Sequence, residues 1–350
     1  MNNNVIGGEY VINPILDDSK LHNERKNYYS CGRMAIKAIL MRVVQKSNEI
    51  VLLPDHFCES IPYTISQMGI GCSFYRILDN FQPDISSIES NIKESKAIVL
   101  VNYFGLISNS FFDGLINRIK SINNDIIVIM DNVQNYFGMD DDLNFDYSFT
   151  SFRKWFPVPD GSTIIYRKGN DAVRLFPEND KCGESLFAKY KFAGNVLKMF
   201  NYIIGDEICL ELIEKGEKLL SDSIPISSID WTGKAMEIMD YQSIKEKRRY
   251  NAKILHEGLV KLGIKHLYID NAIPLFVPIV LEDERDRNRI RKRMFENKIF
   301  CPIHWDETWK QRYDNVHENN LSKQELSLIC DQRYGEEEMS FQLEILENEC

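Results

Sequence analysis

A carboxylate, an amine and a set of anion donors recur in the first half of this 350-residue chain. Asp131 directly follows the apolar run 126–130, within Asp131-Asn132-Val133-Gln134. A carboxylate at the end of a buried strand is costly unless it meets a cation or a strong donor; a protonated pyridine nitrogen is one such partner. Gln134 is spaced to hydrogen-bond the same ligand, although Asp and Asn also cap turns after strands. Ser151-Phe152-Arg153-Lys154 sets a hydroxyl near an amine, the first suited to a phosphate and the second to a carbonyl carbon. Beside apolar Trp155 and Phe156, a lysine amine can become a nucleophile and base; read plainly, Arg153-Lys154 is a surface basic pair. Ser30-Cys31-Gly32-Arg33 opens a helical pattern with small residues, so backbone N–H groups and the helix dipole face an anion, with Arg33 to add a charge-assisted bond. Pro54-Asp55-His56-Phe57-Cys58 offers a ring or a soft side chain to cover a flat ligand, or else packs the core.

These stretches sit where strands end. Apolar, β-rich runs at 50–53, 73–77, 97–101, 126–130, 147–151 and 163–167 alternate with helical patterns at 32–46, 84–94 and 110–121. In 32–46, Ala35, Ile36, Ile39, Leu40 and Val43 share one helical face. Continuous apolar strands separated by helices predict a mostly parallel sheet covered on both faces, with ligands bound beyond the carboxyl ends of the strands. Residues 187–222 are mainly helical, a long charged helix runs over about 236–262, and a strand at 274–281 precedes a helix at 283–297. This predicts a large domain over 1–234 and a smaller α+β domain over 235–350. His304 and Trp305, near the strand end of that second part, could line a pocket or a packed loop.

Composition bounds the partners. Hydrophobic residues make up 44% and charged residues 27%, enough for a core without disulfide or metal staples. A net charge of −10 with no basic tract argues against nucleic-acid binding. No apolar run approaches the ~20 residues of a membrane span, and the first ten residues lack a signal-peptide pattern. The eight cysteines, at 31, 58, 72, 182, 209, 301, 330 and 350, include no CxxC and no zinc-like spacing with histidine, so they read as reduced thiols of a cytoplasmic protein with no metal.

Phosphate cradle, strand-end Asp and Ser-x-x-Lys occur in that order, and the pattern resembles the fold-type-I pyridoxal-phosphate enzymes. More narrowly it is similar to the DegT/DnrJ/EryC1 family of sugar aminotransferases, most clearly over about 28–167. The family's Ser-Gly-Thr motif corresponds to Cys31-Gly32-Arg33, its Asp-x-x-Gln to Asp131–Gln134, and its cofactor-linked lysine to Lys154. Asn102-Tyr103-Phe104-Gly105 and the segment 329–334 look familial as well. The resemblance implies an α/β fold-type-I transferase, with a mostly parallel sheet of the seven-stranded type between helices and a smaller C-terminal α+β domain. It implies pyridoxal 5'-phosphate as cofactor. Lys154 and Asp131 would be catalytic, and Cys31, Gly32, Arg33, Cys58, Gln134 and Ser151 would join them in binding the cofactor. It also implies an amino acid donor such as glutamate, a keto-sugar or nucleotide-linked keto-sugar acceptor in polysaccharide or secondary metabolism, and a homodimer with its active site at the interface. Three departures stand out. The ring-stacking aromatic is replaced at Cys58, with His56 two residues earlier; Gly-Gly after the lysine loop is Gly161-Ser162; the Gly-x-Asn-x-Arg segment is not recognisable.

Rival readings have their own marks. Sugar dehydratases of this family carry histidine where Lys154 stands. A regulatory protein on the same fold has no need of an intact Asp131, Ser151 and Lys154. A nicotinamide dehydrogenase needs a helix-opening GxGxxG, whereas Gly69-Ile70-Gly71 leads into a strand pattern.

Overall fold

The computed structural model describes residues 5–12, 28–46, 48–138, 143–168, 171–175, 185–200, 206–220, 227–305, 307–313, 316 and 320–349. Cys182 and Cys350 lie outside them; the other six cysteines are free thiols.

In chain order the elements begin with the short strand β1 (Ile6–Gly7) and helix α1 (Gly32–Val43). Next come β2 (Ile50–Pro54), α2 (Ser60–Gln67), β3 (Gly71–Tyr75), α3 (Ile85–Asn91), β4 (Ser95–Val101) and α4 (Asn109–Ile122). The central sheet is completed by β5 (Ile127–Asp131), β6 (Tyr147–Phe149), β7 (Ile164–Lys168) and β8 (Asp171–Leu175). Its order is β3-β2-β4-β5-β6-β7-β8. The pairs from β3 to β6 are parallel, and β7 runs antiparallel to both neighbours. This is the mostly parallel, seven-stranded sheet expected from the sequence. The run 97–101 has no polar alternation because both sheet faces are covered, and all five of its residues are buried.

The expected face of α1 is the buried one: Ala35, Ile36, Ile39, Leu40 and Val43 all pack into the main core. Burying each large aliphatic chain is worth about 1.5–3 kcal/mol, enough to fix where the helix N-terminus points.

Downstream lie α5 (Leu186–Leu197), α6 (Asp206–Lys218), α7 (Asp230–Glu237) and α8 (Tyr241–Leu262). The single helix expected over about 236–262 is two, because Asp240 caps α8 by accepting from the Ser243 N–H at 3.0 Å. Next come β9 (Val277–Val280), α9 (Glu284–Glu296), β10 (Ile299–Phe300), α10 (Leu321–Gln324), β11 (Glu325–Leu328) and α11 (Glu336–Glu347). β9 and β11 pair antiparallel over a second core that includes Leu255, Leu259, Ile290 and Leu346. The strand expected over 274–281 is confined to four residues. At its start, the Pro274 and Leu275 carbonyls accept from Arg248 instead. β1 pairs parallel with β10, which brings the start of the chain to this C-terminal layer. Among the described residues, no helix is long and apolar enough to cross a membrane.

Candidate active site

The carboxyl ends of β4, β5 and β6 lie side by side, with Val101 opposite Asp131 and Asp131 opposite Phe149. Asp131 is therefore delivered to the sheet edge at the last residue of its strand. One carboxylate oxygen, Oδ1, accepts from the Val133 N–H at 2.8 Å. Oδ2 has no hydrogen-bond partner among the described residues. Gln134 lies one turn on, and its Oε1 accepts from the Phe104 N–H at 3.1 Å. Its Nε2 makes no hydrogen bond to a described residue.

Ser151–Lys154 follow β6 as a tight turn, with the Lys154 N–H bonded to the Ser151 carbonyl at 3.4 Å. Two bonds bind this turn to the start of α1. Gly161 N–H donates to the Ser30 carbonyl at 2.7 Å, and Phe152 N–H donates to the Gly161 carbonyl at 2.9 Å. Gly161 has φ +108°, and a Cβ there would stand 2.9 Å from Thr232 Cγ2 and closer still to the Phe152 ring. Only glycine fits that position without displacing the turn. The N-terminus of α1 carries no side-chain cap from Cys31, so its first N–H groups lack that partner.

These pieces converge on one cleft enclosing about 730 Å³ of empty space, part of it open to solvent. All eight residues singled out in the sequence line it: Cys31, Gly32, Arg33 and Cys58 on one stretch of wall, and Asp131, Gln134, Ser151 and Lys154 from the ends of β5 and β6. Arg33, the Ser151 hydroxyl and Lys154 Nζ make no hydrogen bond or ion pair with a described residue. His56 does not line the cleft. It is buried against Phe81, Tyr103 and Trp305, with Nδ1 3.6 Å from the Glu307 carboxylate. Of the two candidates for covering a flat ligand, Cys58 is the one that faces the space, with Sγ 3.2 Å from Ser60 Oγ. Trp305 lines the cleft as well, while His304 is turned inward to Ser327 at 3.1 Å. Phe57, from the Pro54–Cys58 stretch, lines it too, as do Val133 and Leu220, which were not expected there from the sequence. Val133 lies inside the Asp-x-x-Gln motif, so the motif's apolar member was the available signal.

Burial dominates the electrostatics. It raises the Asp131 carboxyl to about 7, against the lowering effects of the Val133 N–H and the Lys154 charge. Lys154 is lowered, first by the protein packed around it and then by the Arg153 charge, while its exposed side chain lets solvent screen part of both effects. The Asp131 carboxyl is ready to ionise opposite a cation.

The unspent groups fit pyridoxal phosphate. Ser151, Arg33 and the uncapped α1 N-terminus supply donors for a phosphate. The free oxygen of buried Asp131 suits a protonated ring nitrogen, and Lys154 supplies the amine for a carbonyl carbon. No group of three or more metal-ligating side chains occurs among the described residues.

No protein-family model matches the chain, and no curated protein does. Solved structures do. Spr1654 of Streptococcus pneumoniae, named provisionally as a sugar aminotransferase, is similar in its PLP form at TM-score 0.68 and 12% identity, over 98% of this chain and 93% of that one. A DegT DnrJ EryC1 StrS aminotransferase from Brucella abortus is similar at TM-score 0.62 and 17% identity, over 92% and 85% of the two chains. DesI, solved in the presence of its TDP-sugar product, is similar at TM-score 0.63 and 13% identity, over 93% and 80%. At such identities the likeness establishes the fold, which is that of the fold-type-I pyridoxal-phosphate enzymes.

Proposed function

We propose that this chain is a pyridoxal-phosphate-dependent aminotransferase that moves an amino group from an amino acid, such as glutamate, to a keto-sugar. The observation that carries the reading is the convergence on one cleft of Lys154, Asp131, Gln134, Ser151 and the α1 N-terminus, each with polar groups that no described side chain satisfies. When bound, pyridoxal phosphate supplies a ring that accepts electrons from the reacting carbon. The chain's own residues do the rest. Ser151, Arg33 and the N–H groups at Gly32 would hold the phosphate. Asp131 would keep the proton on the ring nitrogen, and Gln134 would offer the cofactor its Nε2 donor. Val133 and Cys58 offer the apolar and sulfur contacts that flank a flat ring. Lys154 Nζ would remove the proton at the donor's α-carbon and later return one to the sugar.

The sugar acceptor is supported by two structural neighbours, one named as a sugar aminotransferase and the other, DesI, solved in the presence of its TDP-sugar product. Trp305, on the cleft wall, suits the apolar face of a sugar ring. A homodimer in the cytoplasm, acting in polysaccharide or secondary metabolism, completes the reading. The presence of Lys154 favours amino transfer over the dehydratase alternative.

The test is chemical. Purified chain mixed with pyridoxal phosphate should gain a visible absorption band. Borohydride should then fix the cofactor to the peptide carrying Lys154, as read by mass spectrometry. Lys154→Ala should lose the fixation and at least a thousandfold of amino transfer, on the order expected for a lost nucleophile and base. Cofactor fixed at another lysine, or none fixed in the unsubstituted chain, overturns the assignment.

A further inference from the structure

A set of charges behind the cleft, gathered on one buried lysine, plays no part in the reaction proposed above. Lys191, on α5, is fully buried. Its Nζ lies 2.6 Å from Glu217 Oε1 on α6 and 3.2 Å from Glu9 Oε1 near the start of the chain. The same Glu217 oxygen takes Arg153 Nη1 at 2.8 Å. Four charges from well-separated segments thus form one chain of ion pairs that ends on the residue beside Lys154. Lys191 could not be buried without those carboxylates, whereas Arg153, Glu217 and Glu9 keep 20%, 34% and 35% of their side-chain surface in solvent. Among the described residues Arg153 is held at one corner, and its Nε is buried with no hydrogen-bond partner there. Arg153 and Lys154 also share a second cavity, lined by the Gly7–Tyr10 segment and Arg333, so the pair stands in the wall between two spaces.

We propose that Glu217, together with Lys191 and Glu9, is a positioning set that holds the Arg153 guanidinium and so fixes the charge and placement of the Lys154 amine. The proposal rests on the reactive role given to Lys154 above. Charged and titratable groups act on Lys154 from several elements: Arg153 on its own turn, Asp131 at the end of β5, Cys58 before α2, Glu9 and Glu217, while Arg33, Arg248, Asp331 and Arg333 line the two cavities it faces. Arg153 disfavours the protonated amine, while Glu9 and Glu217 favour it. Lys191 neutralises part of those two carboxylates. Removing a carboxylate and removing Lys191 must therefore act on Lys154 with opposite signs.

That sign difference is the test. The full chain, without cofactor, is exposed to an amine-labelling reagent over a pH series, and the peptide carrying Lys154 is quantified by mass spectrometry. At a pH below the midpoint, Glu217→Gln should label Lys154 about three- to tenfold faster, and Lys191→Met should label it slower by a similar factor. General loosening of the fold would speed both. Should either variant fail to fold, Glu9→Gln replaces the first and Lys191→Gln the second, with the same expected directions. Movement in the same direction, or no movement in either, overturns the proposal. Cofactor fixation by borohydride is measured separately on the unsubstituted chain, so a failed cofactor reading and a failed positioning set give different results.

Discussion

At the scale of single residues, Asp131 concentrates the tension between stability and function. In the cofactor-free chain its folded pKa, about 7, lies above the unfolded value of 3.8 because burial disfavours the charge. Between those values the unfolded chain gives up this proton and the folded chain keeps it. The contribution is therefore neutral below about pH 4 and becomes increasingly destabilising as pH rises to 7, by a few kcal/mol at most. Asp131→Asn should melt like the unsubstituted chain at pH 4 and above it at pH 8. Asp160, also raised to about 7 by burial, leaves some pH dependence in both proteins. The variant should also gain less stability from added pyridoxal phosphate, since a neutral amide cannot hold the ring nitrogen's proton. Thermal melts at the two pH values, with and without cofactor, check both statements. Equal melting at pH 8 would show that Asp131 ionises freely in the fold. Asp131 was legible in the sequence because an apolar strand and a following polar turn leave a carboxylate little choice of place. The choice between His56 and Cys58 was not, because it depends on which way an irregular segment after β2 turns its side chains. Tyr103, Phe81 and Trp305, all distant in sequence, settle that direction for His56.

At the scale of elements, the apolar runs were read well because strands buried on both faces leave a continuous signature. β8, at the sheet edge, does not: Asp171-Ala172-Val173-Arg174-Leu175 has no such run, and its pairing with β7 sets its place. The turn that carries Lys154 is fixed by a glycine rather than by a pattern. Gly161→Ala should cost about 2–4 kcal/mol, from the unfavourable backbone angle together with overpacking against Phe152 and Thr232. Because Gly161 also ties the turn to Ser30, the damage should spread to the site: borohydride fixation at Lys154 should fall more than the loss of folded protein explains. Urea unfolding alongside the fixation assay separates the two. A variant as stable as the parent would mean that the backbone relaxes at this position.

At the scale of the whole molecule, the sequence pattern captured the layered sheet and brought the candidate residues to one cleft at its carboxyl edge, but not the ties that cross from one end of the chain to the other. Arg153 and Glu217 are 64 residues apart and Lys191 and Glu9 are 182 apart, and no spacing announces such pairs. The start of the chain shows the same limit. β1 has only two residues, too few for a pattern, yet this segment is pinned on several sides. Arg333 grips Asp331 with Nε at 2.9 Å and Nη2 at 2.7 Å, and its Nη1 reaches the carbonyls of Gly8 and Glu9 at 3.2 and 3.3 Å. Its guanidinium lies 4.1 Å from the centre of the Tyr10 ring, and the Tyr10 hydroxyl accepts from Arg248 at 2.9 Å. A lysine cannot reproduce a two-pronged grip and a stacked plane together. Arg333→Lys should therefore cost about 1–3 kcal/mol, the worth of charge-assisted bonds to partners left without replacement. The loss should be local. Amide exchange should quicken over residues 5–12, which sit on the C-terminal layer, while β4 and β5 stay protected. Lys154 labelling should change too, because Glu9 leaves the ion-pair chain when its backbone is released. Unchanged exchange at residues 5–12 would show that the remaining ties, among them β1 pairing with β10 and the Tyr10 bond to Arg248, hold the segment without the guanidinium.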